Sequence, residues 1–270
     1  MKVILSRKGF DSSVGGHANP ILPSGEMVSL PIPSRLDTLA YRDIRIANGK
    51  TCADVIAELD ARAAIDGCGA HLDPDLVRRA RPRKRGWRPS FGQTGAAAGH
   101  LRNQQVGIGD LFLFYGWFRH TELVGGRLRF VRGEGFHGIY GYLEVDRVFS
   151  PRIESLPTWL HDHPHAMPNR ATATNNTIFT GARAGVLGFH EALVLTKPGE
   201  KRSRWLLPER LRRVAISYHD ATAWRDRYFQ SYPRAQEYVV HADRSIVDWA
   251  YGLISIGSSS SSIVEQGTRT

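Results

Sequence analysis

Two stretches constrain the fold of this chain more than any others. They are Gly109-Asp110-Leu111-Phe112-Leu113-Phe114-Tyr115-Gly116-Trp117-Phe118-Arg119 and Gly138-Ile139-Tyr140-Gly141-Tyr142-Leu143-Glu144-Val145. Both are dense in aromatic and β-branched residues, which suit a pleated, buried surface, so both read as core strands. Their glycines fall where a side chain would block close approach of another backbone. Asp110, Arg119, His120 and His137 are polar groups that packing alone does not need. An aromatic sheet edged by Arg and His suits a flat, hydrogen-bonding ligand such as a nucleobase. An ordinary core hairpin accounts for the same residues.

Around these strands the pattern is irregular. Met1 to Ser6 reads as a first strand, not a signal peptide, because its apolar stretch breaks at Arg7-Lys8. A polar, glycine-rich loop follows from Gly9 to Pro20, then a second strand from Glu26 to Pro31. Thr51 to Asp66 reads as a helix capped by Thr51, with Val55, Ile56, Leu59 and Ala63 on one face and Gly67 as its stop. The Gly/Ala-rich stretch from Gly92 to Gly99 reads as a lead-in to the central strands. Strands are expected at Ile178–Thr180, Ala192–Thr196 and Gln236–His241, and a short helix at Trp224–Gln230. Asp243 caps a last helix running through Leu253. Strands and helices do not alternate, so the expected class is α+β. Its core is a mixed, mostly antiparallel sheet or partly open barrel with flanking helices. One domain is expected over residues 1–255, and the serine run Ser258–Ser262 places a disordered tail at 256–270.

No run of about 18 apolar residues offers a membrane span. Cys52 and Cys68 make neither a metal motif nor a disulfide framework, and the simplest location is cytoplasmic. The formal net charge is +10. Such a balance favours polyanions through long-range attraction and counterion release, so DNA or a nucleotide is the expected partner.

Several motifs carry chemistry, each beside a plainer reading. Asp11-Ser12-Ser13 comes directly off a strand among glycines. Asp11 suits a base or a sugar-hydroxyl partner, and Ser12 and Ser13 a phosphate; an Asx turn explains the same residues. His71-Leu72-Asp73-Pro74-Asp75 brings two carboxylates and an imidazole together, a Mg²⁺-type grouping. It equally reads as a helix start, with Asp73 the cap and Pro74 the first helical residue. His161-Asp162-His163-Pro164-His165 has alternate histidines, but Pro164 disfavours a regular strand and the zinc-helix spacing is absent, so no metal site is assigned. Its histidines suit phosphate. Gln93 and His100 flank the Gly/Ala stretch, Gln93 for a base edge or ribose hydroxyl and His100 for acid–base work. His219 and Gln236-Glu237 are candidates to close a pocket from the far end of the chain. The run Arg78 to Pro89 is an exposed face or a phosphate-gripping arm built on Arg83, Lys84 and Arg85, with Trp87 free to stack on a base. Lys201 to Trp205 is a second basic–aromatic cluster, in which Arg202 suits a bidentate phosphate contact.

With these residues laid out, the chain resembles the nucleotide modification associated domain family of the third type. The matching stretches are Ser6 to Ser13, Ser29 to Pro33, His71 to Asp75, Gly92 to Ala97, Gly109 to Arg119, Gly138 to Val145 and Ala235 to Val239. The resemblance implies a bacterial or phage protein associated with base modification, with possible partner proteins of a modification system and no settled reaction. It implies polar site candidates at Arg7, Asp11, Ser12, Asp73, Asp75, Gln93, His100, Arg119, His137 and Gln236. Ala98 is a departure, since a Gln is expected there.

Three functions compete. The first is a base- or nucleotide-modifying enzyme, with Asp11, Asp73, His100 and His137 as acid–base groups. Arg7, Ser12, Ser13, Gln93, Tyr115, Arg119, Tyr140 and Gln236 would bind its substrate. The second is a reader of a modified base, like PUA- and EVE-type barrels, with Tyr115, Trp117 and Tyr140 stacking on the base. The third is a basic partner subunit without a pocket. No Rossmann fingerprint, nucleophilic cysteine motif or zinc deaminase signature is present, and the sequence names no cofactor.

Overall fold

A computed structural model describes residues 1–46, 49–59, 65–232 and 235–266. Its strands, in chain order, are β1 (Val3–Arg7), β2 (Asn19–Ile21), β3 (Ile32–Ser34), β4 (Gly69–His71), β5 (Ser90–Gln93), β6 (Leu111–Val124) and β7 (Arg127–Phe130). They continue with β8 (Phe136–Glu144), β9 (Arg147–Phe149), β10 (Thr177–Thr180), β11 (Ala184–Val186), β12 (Arg204–Trp205), β13 (Phe229–Gln230) and β14 (Glu237–Val240). The helices are α1 (Cys52–Leu59), α2 (Gly95–Asn103), α3 (Pro168–Ala171) and α4 (Arg244–Gln266).

The two aromatic stretches form the heart of the molecule. β6 and β8 pair antiparallel, and the register slips between Phe114 and Tyr115, leaving Tyr140 as the extra residue of a bulge. The main sheet runs β11-β8-β6-β1-β14, with only the β1–β6 neighbours in it parallel. β2 runs parallel to β6 and takes over its edge where β1 has left it. Gly125 and Gly126, both at positive φ, make the tight turn that returns β6 into β7. A three-stranded sheet, β5-β10-β9, packs on one face. There Phe91 meets Phe112 and Phe114, and Phe179 meets Phe112, with ring centroids 5.0 to 5.2 Å apart. Alternation along β6 sends Tyr115 to the other face, against Trp205 and Tyr238. The fold is α+β with a mixed, mostly antiparallel sheet, as expected, and the strands do not close into a barrel.

Several local expectations fail for physical reasons. The stretch Glu26 to Pro31 makes only isolated bridges from Glu26 and Met27, and the strands lie on either side of it. Helix α2 occupies what reads as a linker: past Gly95, three consecutive alanines supply high helix propensity and Ala98 and Leu101 are buried. α1 starts as expected, with Thr51 and Asp54 exchanging hydrogen bonds across the first turn. Residues 60–64 of the expected helix lie outside the described residues, and Asp66 and Gly67 form a turn. Asp73-Pro74-Asp75 starts no helix; Asp75 instead bridges Ser90. Ala192 to Thr196 begins inside a 3-10 turn, and Trp224 to Gln230 folds back so that β13 pairs β12. Asp243 caps α4 by accepting from the Ile246 amide at 3.1 Å. The helix then continues through the serine run as far as Gln266, where a disordered tail from residue 256 is expected. Gly257 explains the difference: it is buried against Leu187, and its carbonyl accepts from the Gly188 amide at 3.0 Å.

A second apolar cluster, built on Phe10, Leu30, Tyr41, Val55 and Ile56, supports the β3–β4 side. No described helix is long and apolar enough to cross a membrane.

Candidate functional site

The site grows from the point where β1 leaves the sheet at Arg7. The chain from Lys8 to Ala18 peels away while β6 runs on beneath it, and Gly116 leaves room for the Lys8 carbonyl to pass. Asn19, fully buried, pins this loop. Its Oδ1 accepts from the Phe10 and Leu30 amides, and its Nδ2 donates to the Phe10 and Trp117 carbonyls. Two cavities flank the loop, and both are lined by Arg7, Lys8 and Asp11.

The first cavity holds about 510 Å³ and brings together Tyr115, Trp117, Tyr232, Tyr238, His137, Lys201 and Arg202 with Ser12 and Ser13. The Arg202 guanidinium lies 3.9 Å from the centre of the Trp117 ring. Asp11 builds an Asx turn in its rim: its Oδ1 accepts from the Ser13 amide, the Ser13 hydroxyl and the Val14 amide at 2.7 to 2.9 Å. Burial pushes the Asp11 carboxyl up, but these donors and Arg7 outweigh it and hold the pKa below the usual carboxylate range. The His137 Nδ1 accepts from the Trp205 indole at 3.1 Å, so its hydrogen sits on Nε2. Burial, then the charges of Arg7 and Arg202, push its pKa down to about 3. His137 is therefore a fixed neutral donor near pH 7, and a proton shuttle there is not what this geometry offers.

The second cavity, about 410 Å³, is lined by Asp73, Gln93, Gln236, His71, His165 and Arg170. At its junction with the first, Glu237 is 1% exposed; its Oε1 accepts from Lys8 at 2.8 Å and from Gln93 at 2.7 Å. On the far wall three segments converge. Asp73 Oδ1 accepts from the Gly92 amide at 2.8 Å, and His163 Nε2 lies 3.4 Å from the same oxygen. Asp73 Oδ2 faces His165 Nε2 at 3.5 Å and His71 Nε2 at 3.9 Å. Burial raises the Asp73 carboxyl, and hydrogen bonding from the His163 imidazole, the leading opposing contact, helps hold its pKa well below the usual range. Gly92 is needed here, because a Cβ at that position would overlap the His165 ring.

The remaining sequence candidates lie elsewhere. His100 Nε2 hydrogen-bonds the Ser217 hydroxyl at 3.0 Å, and that hydroxyl accepts from the Val239 amide. Burial lowers its pKa against the opposing charge of Glu237. Arg119 donates to the Val131 carbonyl and covers Phe130, away from both cavities. Tyr140 is buried and borders a separate cavity of about 340 Å³. Asp110 clasps the Lys2 and Gly107 amides, and His120 packs edge-on against Phe189. Of the expected phosphate arm, Arg83 grips Asp75 at 2.5 and 2.6 Å and lies over Trp87, while Lys84 pairs with Asp162 at 2.8 Å. Arg85 alone of the three is exposed with no ion pair among the described residues. His71, His165, Asn19 and Glu237 are what motif-by-motif reading undervalues, because each gains its partners only through the fold.

A family model described as nucleotide modification associated domain 3 matches residues 2–241 of the chain. The chain belongs to that family. No curated protein and no solved structure matches it.

Proposed function

We propose that this member of the family is an enzyme acting on the base of a nucleotide or nucleic acid held in the aromatic and cationic cavity. One observation carries the reading: Arg7, Lys201 and Arg202 converge with Tyr115 and Trp117 on a cavity of about 510 Å³. That volume is in the range of small-molecule sites. Aromatic faces stack on a base whatever its sequence, and guanidinium forks take phosphate oxygens two at a time. Asp11, Ser12 and Ser13 form the rim, where hydroxyls and amides meet a sugar or phosphate. His137 supplies a directed hydrogen bond to a base edge. Gln93, Gln236 and Asp73 stand across the shared Arg7–Asp11 wall, on the side where a reacting group would be handled.

A reader of a modified base is the second reading. It is favoured by the saturation of Asp11 Oδ1 and the neutrality of His137, which leave the aromatic cavity without an acid–base pair of its own.

The deciding experiment is mass spectrometry of nucleosides from the native host's DNA, comparing the intact gene, its deletion and Asp11→Ala. A nucleoside that changes on deletion and in Asp11→Ala supports the enzyme. An unchanged profile in all three, with nucleotide binding lost in Trp117→Ala, supports the reader.

A further inference from the structure

We propose that His71, Asp73 and His165 bind one divalent first-row transition-metal ion, open to the cavity of about 410 Å³ that all three line. Their ligand atoms lie within 4.8 Å of one another. The assignment stands on this cluster alone and holds whether the protein is an enzyme or a reader.

The separations are the first argument. Asp73 Oδ2 is 3.5 Å from His165 Nε2 and 3.9 Å from His71 Nε2, too long for good hydrogen bonds. Donor atoms about 2.0–2.1 Å from a tetrahedral ion lie about 3.4 Å apart, so these gaps suit atoms that flank a cation.

Hydrogen positions are the second. Asn176 Nδ2 donates to the His165 and Arg170 carbonyls, which turns its Oδ1 toward His165 Nδ1 at 3.0 Å. His165 therefore donates from Nδ1 and presents a lone pair at Nε2. His71 Nδ1 lies 3.0 Å from Asp37 Oδ2, and Asp37 is fixed as a carboxylate by Arg170 at 2.6 and 2.8 Å. His71 is thus oriented the same way. Both arrangements are the outer-shell pattern that aims an imidazole at a metal.

The third argument concerns Asp73. Its Oδ1 is held by the Gly92 amide, and His163, whose Nδ1 accepts from the His165 amide, turns an Nε2 hydrogen toward it. That Nε2 is buried in a residue only 5% exposed and makes no well-formed hydrogen bond. The pair leaves Oδ2 facing two imidazole lone pairs, which is unfavourable unless a cation lies between them. Two nitrogens and one carboxylate oxygen select zinc, manganese, iron or cobalt over magnesium or calcium, and three protein ligands leave a position open to the cavity.

The test uses the full chain, stripped by chelation and titrated with Zn²⁺, Mn²⁺ and Co²⁺ by calorimetry, with the visible spectrum of the Co²⁺ form as a second readout. The expected result is one equivalent bound, with affinity reduced about 100-fold or more in His71→Gln and His165→Gln. Asn176→Ala should cost about 10–100-fold, as outer-shell changes do. His161→Ala, in the same loop but exposed, should bind as the unaltered chain does. A folded chain that takes up none of the three ions overturns the proposal, as does undiminished binding in both glutamine variants. Should those variants misfold, a Co²⁺ spectrum of nitrogen-ligated form in the unaltered chain upholds the site, and a spectrum like the aqueous ion overturns it.

Discussion

The two cavities share a wall and differ in how they are built. The larger is assembled from broad surfaces: Tyr115 and Trp117 on one long strand, faced by Arg7 and Arg202, with a self-contained Asx turn at its rim. The smaller is assembled from aimed atoms: Asp73, His71 and His165, each held in orientation by a second group behind it. Broad aromatic and cationic surfaces tolerate variation in a ligand, whereas aimed lone pairs accept little. The contrast sets a broad aromatic and cationic surface and a set of aimed side-chain atoms on opposite sides of one loop.

The sharpest way to break this division is Asp73→Ala. It leaves the Gly92 amide and the His163 imidazole without their buried carboxylate oxygen, and about 1–3 kcal/mol for each unsatisfied donor should be lost in urea unfolding. An Asp73→Ala chain as stable as the original would mean the second cavity is not the preorganised one. Next in size is the acid response of the first cavity. His137 titrates near 3 in the folded chain against about 6.5 unfolded, so the unfolded state binds more protons below pH 6.5. Stability should fall as pH drops from about 6.5 toward 3, and His137→Gln should flatten that part of a thermal-melting profile.

Trp117→Ala sharpens the comparison from the binding side. Loss of one stacking face should weaken binding of a nucleoside monophosphate by about 1–3 kcal/mol, read by calorimetry, with no change in the stability assigned to Asp73. Equal binding by the variant would remove base stacking from the first cavity. Smallest of all is Arg85→Ala, which should alter stability by less than about 0.5 kcal/mol. If Arg85 touches a DNA phosphate, the variant should reduce the salt slope of binding by about one unit; an unchanged slope marks the arm as a solvated face.

Legibility followed the density of the signal. β6 and β8 were readable because long aromatic runs leave the chain few alternatives, and β1 and β14 because each is a short apolar run beside a turn. β2 and β3 were not, since each has three residues including a proline and exists only by pairing with a longer neighbour. α2 was hidden by its glycines, and the end of α4 by serines whose hydroxyls at Ser259 and Ser260 bond back to carbonyls four residues earlier. In the site, the loop from Arg7 to Ser13 was legible as a unit because its residues are contiguous. The His71–Asp73–His165 grouping was not, because no spacing in the chain announces that residues some ninety positions apart share one carboxylate. The basic arm misled in the opposite direction: Arg83 and Lys84 look free in sequence, but the fold supplies Asp75 and Asp162.

Glu237 gives the shared wall a thermodynamic meaning. One oxygen holds Lys8 from the loop and Gln93 from the strand leading to α2, and Lys8 lines both cavities. A ligand that draws Lys8 toward one side changes what the other side offers. Linkage then runs both ways: any factor by which occupancy of the aromatic cavity alters affinity in its neighbour must appear, unchanged, when the order of binding is reversed.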